Sequence, residues 1–180
     1  MQPDKREDLL VRILAAHKSF YDIRRDYRYE GRVFPAFAEF HTFGEQYVLV
    51  KRAKLWEVNT HDFMFFEFAD DLDAAALEDL IGFMTEKAIK KVAATSDHMS
   101  SGITLVVLAN SASDEACKLV KKTRFRKNYR LGFHGWADLR LAMVDFSRPE
   151  KKQVFTNGAG VKLKPTLEQN LALVRTGHTL

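Results

Sequence analysis

The chain has 180 residues, 46% hydrophobic and 29% charged, with one Cys and a formal net charge of +4. That size and composition exclude a mostly disordered chain and a small disulfide-stapled fold, and the lone cysteine excludes a Cys-based zinc cluster. No apolar run reaches about 18 residues and Met1 to Arg6 carries no signal-peptide core, so the expectation is a cytoplasmic, membrane-free single domain over residues 1–180, its ordered core about 4–175.

The predicted elements run as follows. Asp4 with Glu7 resembles a capping box, and Leu10, Ile13, Leu14, His17, Phe20 and Tyr21 recur at helical spacing, predicting a first helix up to about Arg28. Three strands are expected next: Val33 to Phe43, Tyr47 to Leu55 after a Gly44-Glu45 hairpin turn, and His61 to Phe68. The third is apolar on both faces, as a central strand is. A long helix follows, with Asp70, Asp71 and Asp73 at its start and Lys87, Lys90 and Lys91 at its end, matching the helix dipole. Ile103 to Ala109 reads as a buried strand, and Ser113 caps a third helix to about Thr123. Tyr129 to Phe133, Asp138 to Phe146 and Gln153 to Thr156 read as strands, the last turned by Asn157-Gly158. Pro165 opens a last helix, Thr166 to Arg175. The fold class is therefore α+β (mixed α/β): a single mixed sheet in the order α-βββ-α-β-α-βββ-α with helices packed on it.

Charge is unevenly spread. Glu57 to Glu86 holds nine acids and no Lys or Arg, whereas Lys118 to Lys164 holds thirteen Lys or Arg against three acids. The densest stretch contains Lys118, Lys121, Lys122, Arg124, Arg126, Lys127 and Arg130 with no acid. Such a cluster neutralises phosphates and attracts polyanions; the plainer reading is a solvated helix face with cations at its favourable C-terminal end.

A register follows from the expected turns. If Val50 faces both Glu39 and Glu67, one sheet face carries Glu39, Arg52, Lys54 and Glu67, with the two carboxylates ~9.5 Å apart between backbones. One reading is a divalent cation held by Glu39 and Glu67 with Arg52 or Lys54 on a phosphate. The other is cross-strand ion pairing on a half-exposed sheet. No metal or other cofactor is expected outside the first of these. Lesser candidates are Asp97-His98 with Ser100 and Ser101; Cys117, read as a small buried residue; Asn157-Gly158-Ala159-Gly160, a phosphate cradle or a plain turn; and Trp136, a core plug or a stacking surface.

Asp97-His98-Met99-Ser100-Ser101, Lys127-Asn128-Tyr129-Arg130-Leu131-Gly132-Phe133-His134-Gly135-Trp136 and Val154-Phe155-Thr156-Asn157-Gly158 carry a resemblance. With Tyr47-Val48-Leu49-Val50-Lys51 through Phe66, the chain resembles a family of short, uncharacterised microbial proteins over most of its length. The resemblance implies no activity. The opening order α-βββ-α-β is also similar to the core of PD-(D/E)xK nucleases, whose pattern places an acid on the second strand and Glu-x-Lys on the third. Here the expected second strand carries Lys51, Arg52 and Lys54 without an acid, and Glu67-Phe68-Ala69 lacks the Lys.

Three functions are weighed on this basis. The first is a non-catalytic binding or accessory domain that contacts nucleic acid or another polyanion through Lys118 to Arg130. The second is a divergent metal-dependent nuclease or phosphoester hydrolase using Glu39 and Glu67. The third is a homodimeric interaction module.

Overall fold

A computed structural model describes residues 4–40, 61–93 and 100–176. Helix α1 (Lys5–His17) opens where the Asp4 side chain accepts the Arg6 backbone N–H, and it buries Leu9, Leu10, Ile13 and Leu14. It stops at His17, and the next segment is strand β1 (Tyr21–Tyr29), not the continuation of a helix to Arg28. Glu30 and Gly31, both at positive φ, then turn the chain into β2 (Arg32–Phe40), as a type I′ hairpin requires. The aromatics at Tyr27 and Tyr29, expected at a fraying helix end, instead pack into the core, with Tyr27 stacked on Phe37 at 4.2 Å between ring centroids.

Strand β2 pairs antiparallel with β3 (His61–Leu72), and Glu39 stands opposite Phe63. This corrects the expected register. Both strands are buried on both faces, so their apolar content alone did not say which strands lie side by side. The expected hairpin at Gly44-Glu45 and strand Tyr47 to Leu55 lie outside the described residues.

From β3 the chain runs through α2 (Ala74–Glu86), capped by Asp73, and a 3-10 turn (Ala88–Lys91) to β4 (Ser100–Ala112), parallel to β3. Asp70 and Asp71 end β3 and do not belong to the helix. After β4 come α3 (Asp114–Lys122), β5 (Arg126–Asn128), β6 (Trp136–Asp145), β7 (Val154–Thr156) and α4 (Lys164–Arg175). The described elements form one mixed sheet in the order β1-β2-β3-β4-β6-β5, with β7 also on β6. Among the described residues the element types run α-βββ-α-β-α-βββ-α, the expected order, although β1 stands where helix was predicted, the expected Tyr47 to Leu55 strand is not among them, and β5 precedes the predicted Tyr129 to Phe133 strand.

The sheet has a core on each face. Leu77, Leu80 and Met84 of α2 and Ala116, Cys117 and Val120 of α3 pack with Phe34, Phe37, Phe65, Leu105 and Leu141. On the other face α1 and α4 cover Ala38, Met64, Phe66, Val106 and Ala142. Burial on both faces explains the continuous apolar runs of β3, β4 and β6. That second face turns polar toward the starts of β3, β4 and β6, where Asp62, Gly102 and Asp138 stand in one row.

Candidate functional site

The cationic segment begins on α3. Ser113 caps it by accepting the Ala116 N–H at 3.1 Å, and burying Ala116, Cys117 and Val120 leaves Lys118, Lys121 and Lys122 outward. Arg124, Arg126, Lys127 and Arg130 continue along the connection into β5 and past it, and all seven cations are exposed. Among the described residues only Arg126 of the seven forms an ion pair, a two-pronged one to Asp138 with Nε–Oδ1 at 2.6 Å and Nη2–Oδ2 at 2.9 Å. Three cations also sit over rings at 5.3 Å: Lys121 over Phe155, Arg126 over Trp136 and Lys127 over Tyr129. Lys121 and Lys122 fall in the last turn of α3, where the helix dipole favours them whatever else they do.

Between β5 and β6 the chain makes a tight turn in place of the strand predicted at Tyr129 to Phe133. Tyr129 donates its N–H to the Gly135 carbonyl and accepts from His134, while Arg130, Leu131, Gly132 and Gly135 take positive φ. Positive φ at two non-glycine residues is an unfavourable geometry held by these bonds. It carries Leu131 and Phe133 into solvent, 96% and 84% exposed.

Beside this hairpin lies a cavity of about 440 Å³ walled by Ser100, Trp136, Asp138, Arg140 and the Gly158–Ala159 stretch. Asp62 of β3 is fully buried and accepts two bonds from Arg140 Nη1, at 3.0 and 3.1 Å, and a longer one from the Tyr21 hydroxyl at 3.4 Å. Burial pushes the Asp62 carboxyl up to about 6, although the Arg140 charge and the bonds from Arg140 and Tyr21 pull it down. Arg140 reaches Asp62 across β4 over Gly102, where a Cβ would lie 2.1 Å from Asp62 Oδ1 and 2.8 Å from the guanidinium. A buried acid therefore dictates glycine on the strand between the partners.

Asn157, predicted as part of a hairpin turn, is a clamp. Its buried side chain accepts the N–H groups of Leu141 and Gly160 and donates to the carbonyls of Leu139 and Thr123. Gly160 packs against the Leu141 carbonyl, 2.7 Å from where a Cβ would be. Together they fix the Gly158–Ala159 stretch against β6.

The pairing places the other sequence candidates differently from expectation. Glu67 lies four residues beyond Phe63, the partner of Glu39, about 13 Å along the strand. Glu67 accepts the Phe68 N–H and has Arg32 at 3.9 Å; burial pushes its carboxyl up. Arg52, Lys54, Asp97 and His98 lie outside the described residues. Cys117 is buried in α3 and burial raises its thiol, so it is a packing residue. Sequence reasoning passed over Asp62 and Arg140, charges set beside the apolar residues of the central strands β3 and β6, and that placement is the signal that marks them.

Comparison with curated proteins and with solved structures finds no match. A family model does match, over residues 5–169, and the chain belongs to that family, described as a domain of unknown function, DUF8052.

Proposed function

We propose that this protein is a non-catalytic binding module for a polyanion, with nucleic acid as the class of partner, engaged through Lys118, Lys121, Lys122, Arg124, Arg126, Lys127 and Arg130. One observation carries the reading: all seven cations are exposed, and six of them make no ion pair among the described residues. Surface cations are usually interspersed with acids, and a run left unneutralised lowers the cost of bringing phosphates close. Nucleic acid is preferred over a plain polyanion because ring surface accompanies the cations. Phe133 is 84% and Trp136 39% exposed, and base stacking on such rings adds about 1–3 kcal/mol per base.

The test is fluorescence anisotropy with a labelled single-stranded oligonucleotide, comparing the native chain with K118E/K121E/K122E. Binding by the native chain and at least about tenfold weaker binding by the variant, with an unchanged circular-dichroism spectrum, is the expected result. Equal binding by both removes these cations from the interface. Self-association in sedimentation that disappears in L131S/F133S, without oligonucleotide binding, gives the surface to a second copy of the chain instead.

A further inference from the structure

The cavity next to the cationic segment has features that polyanion binding does not use. The Arg140 side chain is only 12% exposed, and Asp62 engages it through Nη1 alone. Its Nε and Nη2 donate to nothing among the described residues. A nearly buried guanidinium fixed by one nitrogen, with its other donors unclaimed among the described residues at a cavity wall, is a preorganised fork for an oxyanion. Among the described residues, the two carboxylates near that wall are already matched, Asp62 by Arg140 and Asp138 by Arg126, so neither is left to repel an anion unscreened. Trp136 adds ring surface, and Asn157 holds the Gly158–Ala159 wall in place. A volume of about 440 Å³ lies within the range of small-ligand sites.

We propose that this cavity binds a phosphomonoester, its phosphate on the side of the Arg140 guanidinium away from Asp62 and the attached ring against Trp136. A phosphate is favoured over a carboxylate because it presents three oxygens and a second negative charge to a wall whose lining includes Lys162 as well as the Arg126–Asp138 pair. The ligand is either a free nucleoside monophosphate or the phosphorylated end of a nucleic-acid strand. Only the second source rests on the polyanion reading; the site itself uses none of Lys118, Lys121 or Lys122.

Isothermal titration calorimetry of the full chain with adenosine monophosphate, inorganic phosphate, adenosine and citrate tests this. Binding of the monophosphate without binding of adenosine or citrate is expected. R140K keeps a charge for Asp62 but loses the fork, and should weaken the monophosphate by about tenfold or more. W136A should weaken the monophosphate and leave inorganic phosphate unaffected, which keeps the test valid if R140K folds poorly. K118E/K121E/K122E should bind the monophosphate as the native chain does, so failure of the surface reading leaves this result standing. Tighter binding of a terminally phosphorylated oligonucleotide than of its hydroxyl counterpart assigns the strand end as source, and equal binding assigns the free nucleotide. No heat with the monophosphate, equal binding of citrate or adenosine, or native affinity in both R140K and W136A overturns the proposal.

Discussion

Gly102 shows how one charge constrains residues that are distant in sequence. Asp62 on β3 and Arg140 on β6 are separated by β4, and they meet because the residue between them has no side chain. Substitution G102A sets a methyl 2.1 Å from Asp62 Oδ1, which is no contact at all but an overlap. The strand must shift or the pair must part, and breaking a buried pair costs about 3–5 kcal/mol. We expect G102A to lose about 3 kcal/mol or more of unfolding free energy, read from the urea midpoint. A loss below about 1 kcal/mol would mean that the pair relaxes freely.

The same carboxylate gives a pH dependence whose sign is fixed. Its folded value of about 6 lies above the ordinary 3.8, so between those two the folded state binds the extra proton. That group's contribution therefore falls as pH rises from about 4 to about 6 and is level above, opposite to the usual salt-bridged Asp. The stability of the native chain minus that of D62N should decline across that window in urea titrations at successive pH values. A difference that rises with pH there would show that the Arg140 partnership outweighs burial.

At the scale of elements, the segment from Asn157 to Leu163 is held to β6 by the Asn157 side-chain amide together with the bond from its backbone N–H to the Leu141 carbonyl. The four side-chain bonds of Asn157 serve backbone groups of Leu139, Leu141, Gly160 and Thr123, and those to Leu139 and Leu141 are buried. N157A should cost about 2–4 kcal/mol, since each unsatisfied buried group costs about 1–3 kcal/mol, and should speed proteolysis near Gly158. Unchanged cleavage and midpoint would make the clamp redundant.

Elements with an unbroken pattern were legible from sequence: α1 from its cap and stripe, β4 from its apolar run, α3 from Ser113 and its amphipathic face. β1 was not. Its ladder to β2 skips Asp26, which sits at φ +48°, so Ile23 and Tyr21 serve one core while Tyr27 and Tyr29 serve the other. That break removes the period-two signal on which strands are recognised. The β2–β3 register failed for a related reason: two-sided burial gives no alternation to choose a partner strand. The cationic segment was legible because it is contiguous. The Asp62–Arg140 pair was not, because its partners are 78 residues apart and meet only through strand order.

At the scale of the whole molecule, one sheet separates two cores, and the two candidate features share a single edge of it. The β5–β6 hairpin carries Arg126, Lys127 and Arg130 outward, while Arg126 and Trp136 also wall the cavity. The same hairpin therefore links an exposed cationic surface to a partly open cavity. Acids from Asp70 to Glu86 fall on the end of β3 and on α2, elements apart from that hairpin in the chain and across the sheet order. A net charge of +4 conceals this division. A polyanion-binding surface predicts binding governed by local cations and counterion release, not by net charge.

The most direct measurement is the affinity for a single-stranded oligonucleotide as a function of salt concentration, for the native chain and for K118E/K121E/K122E. Counterion release makes log K fall linearly with log salt, with a slope of about −0.7 per phosphate neutralised. The native chain should give a steep negative slope of about −3 or steeper, corresponding to four or more contacts, and the variant should lose about two units of it or more. A shallow slope in the native chain, or the same slope in both proteins, would contradict a polyanion interface built on these cations.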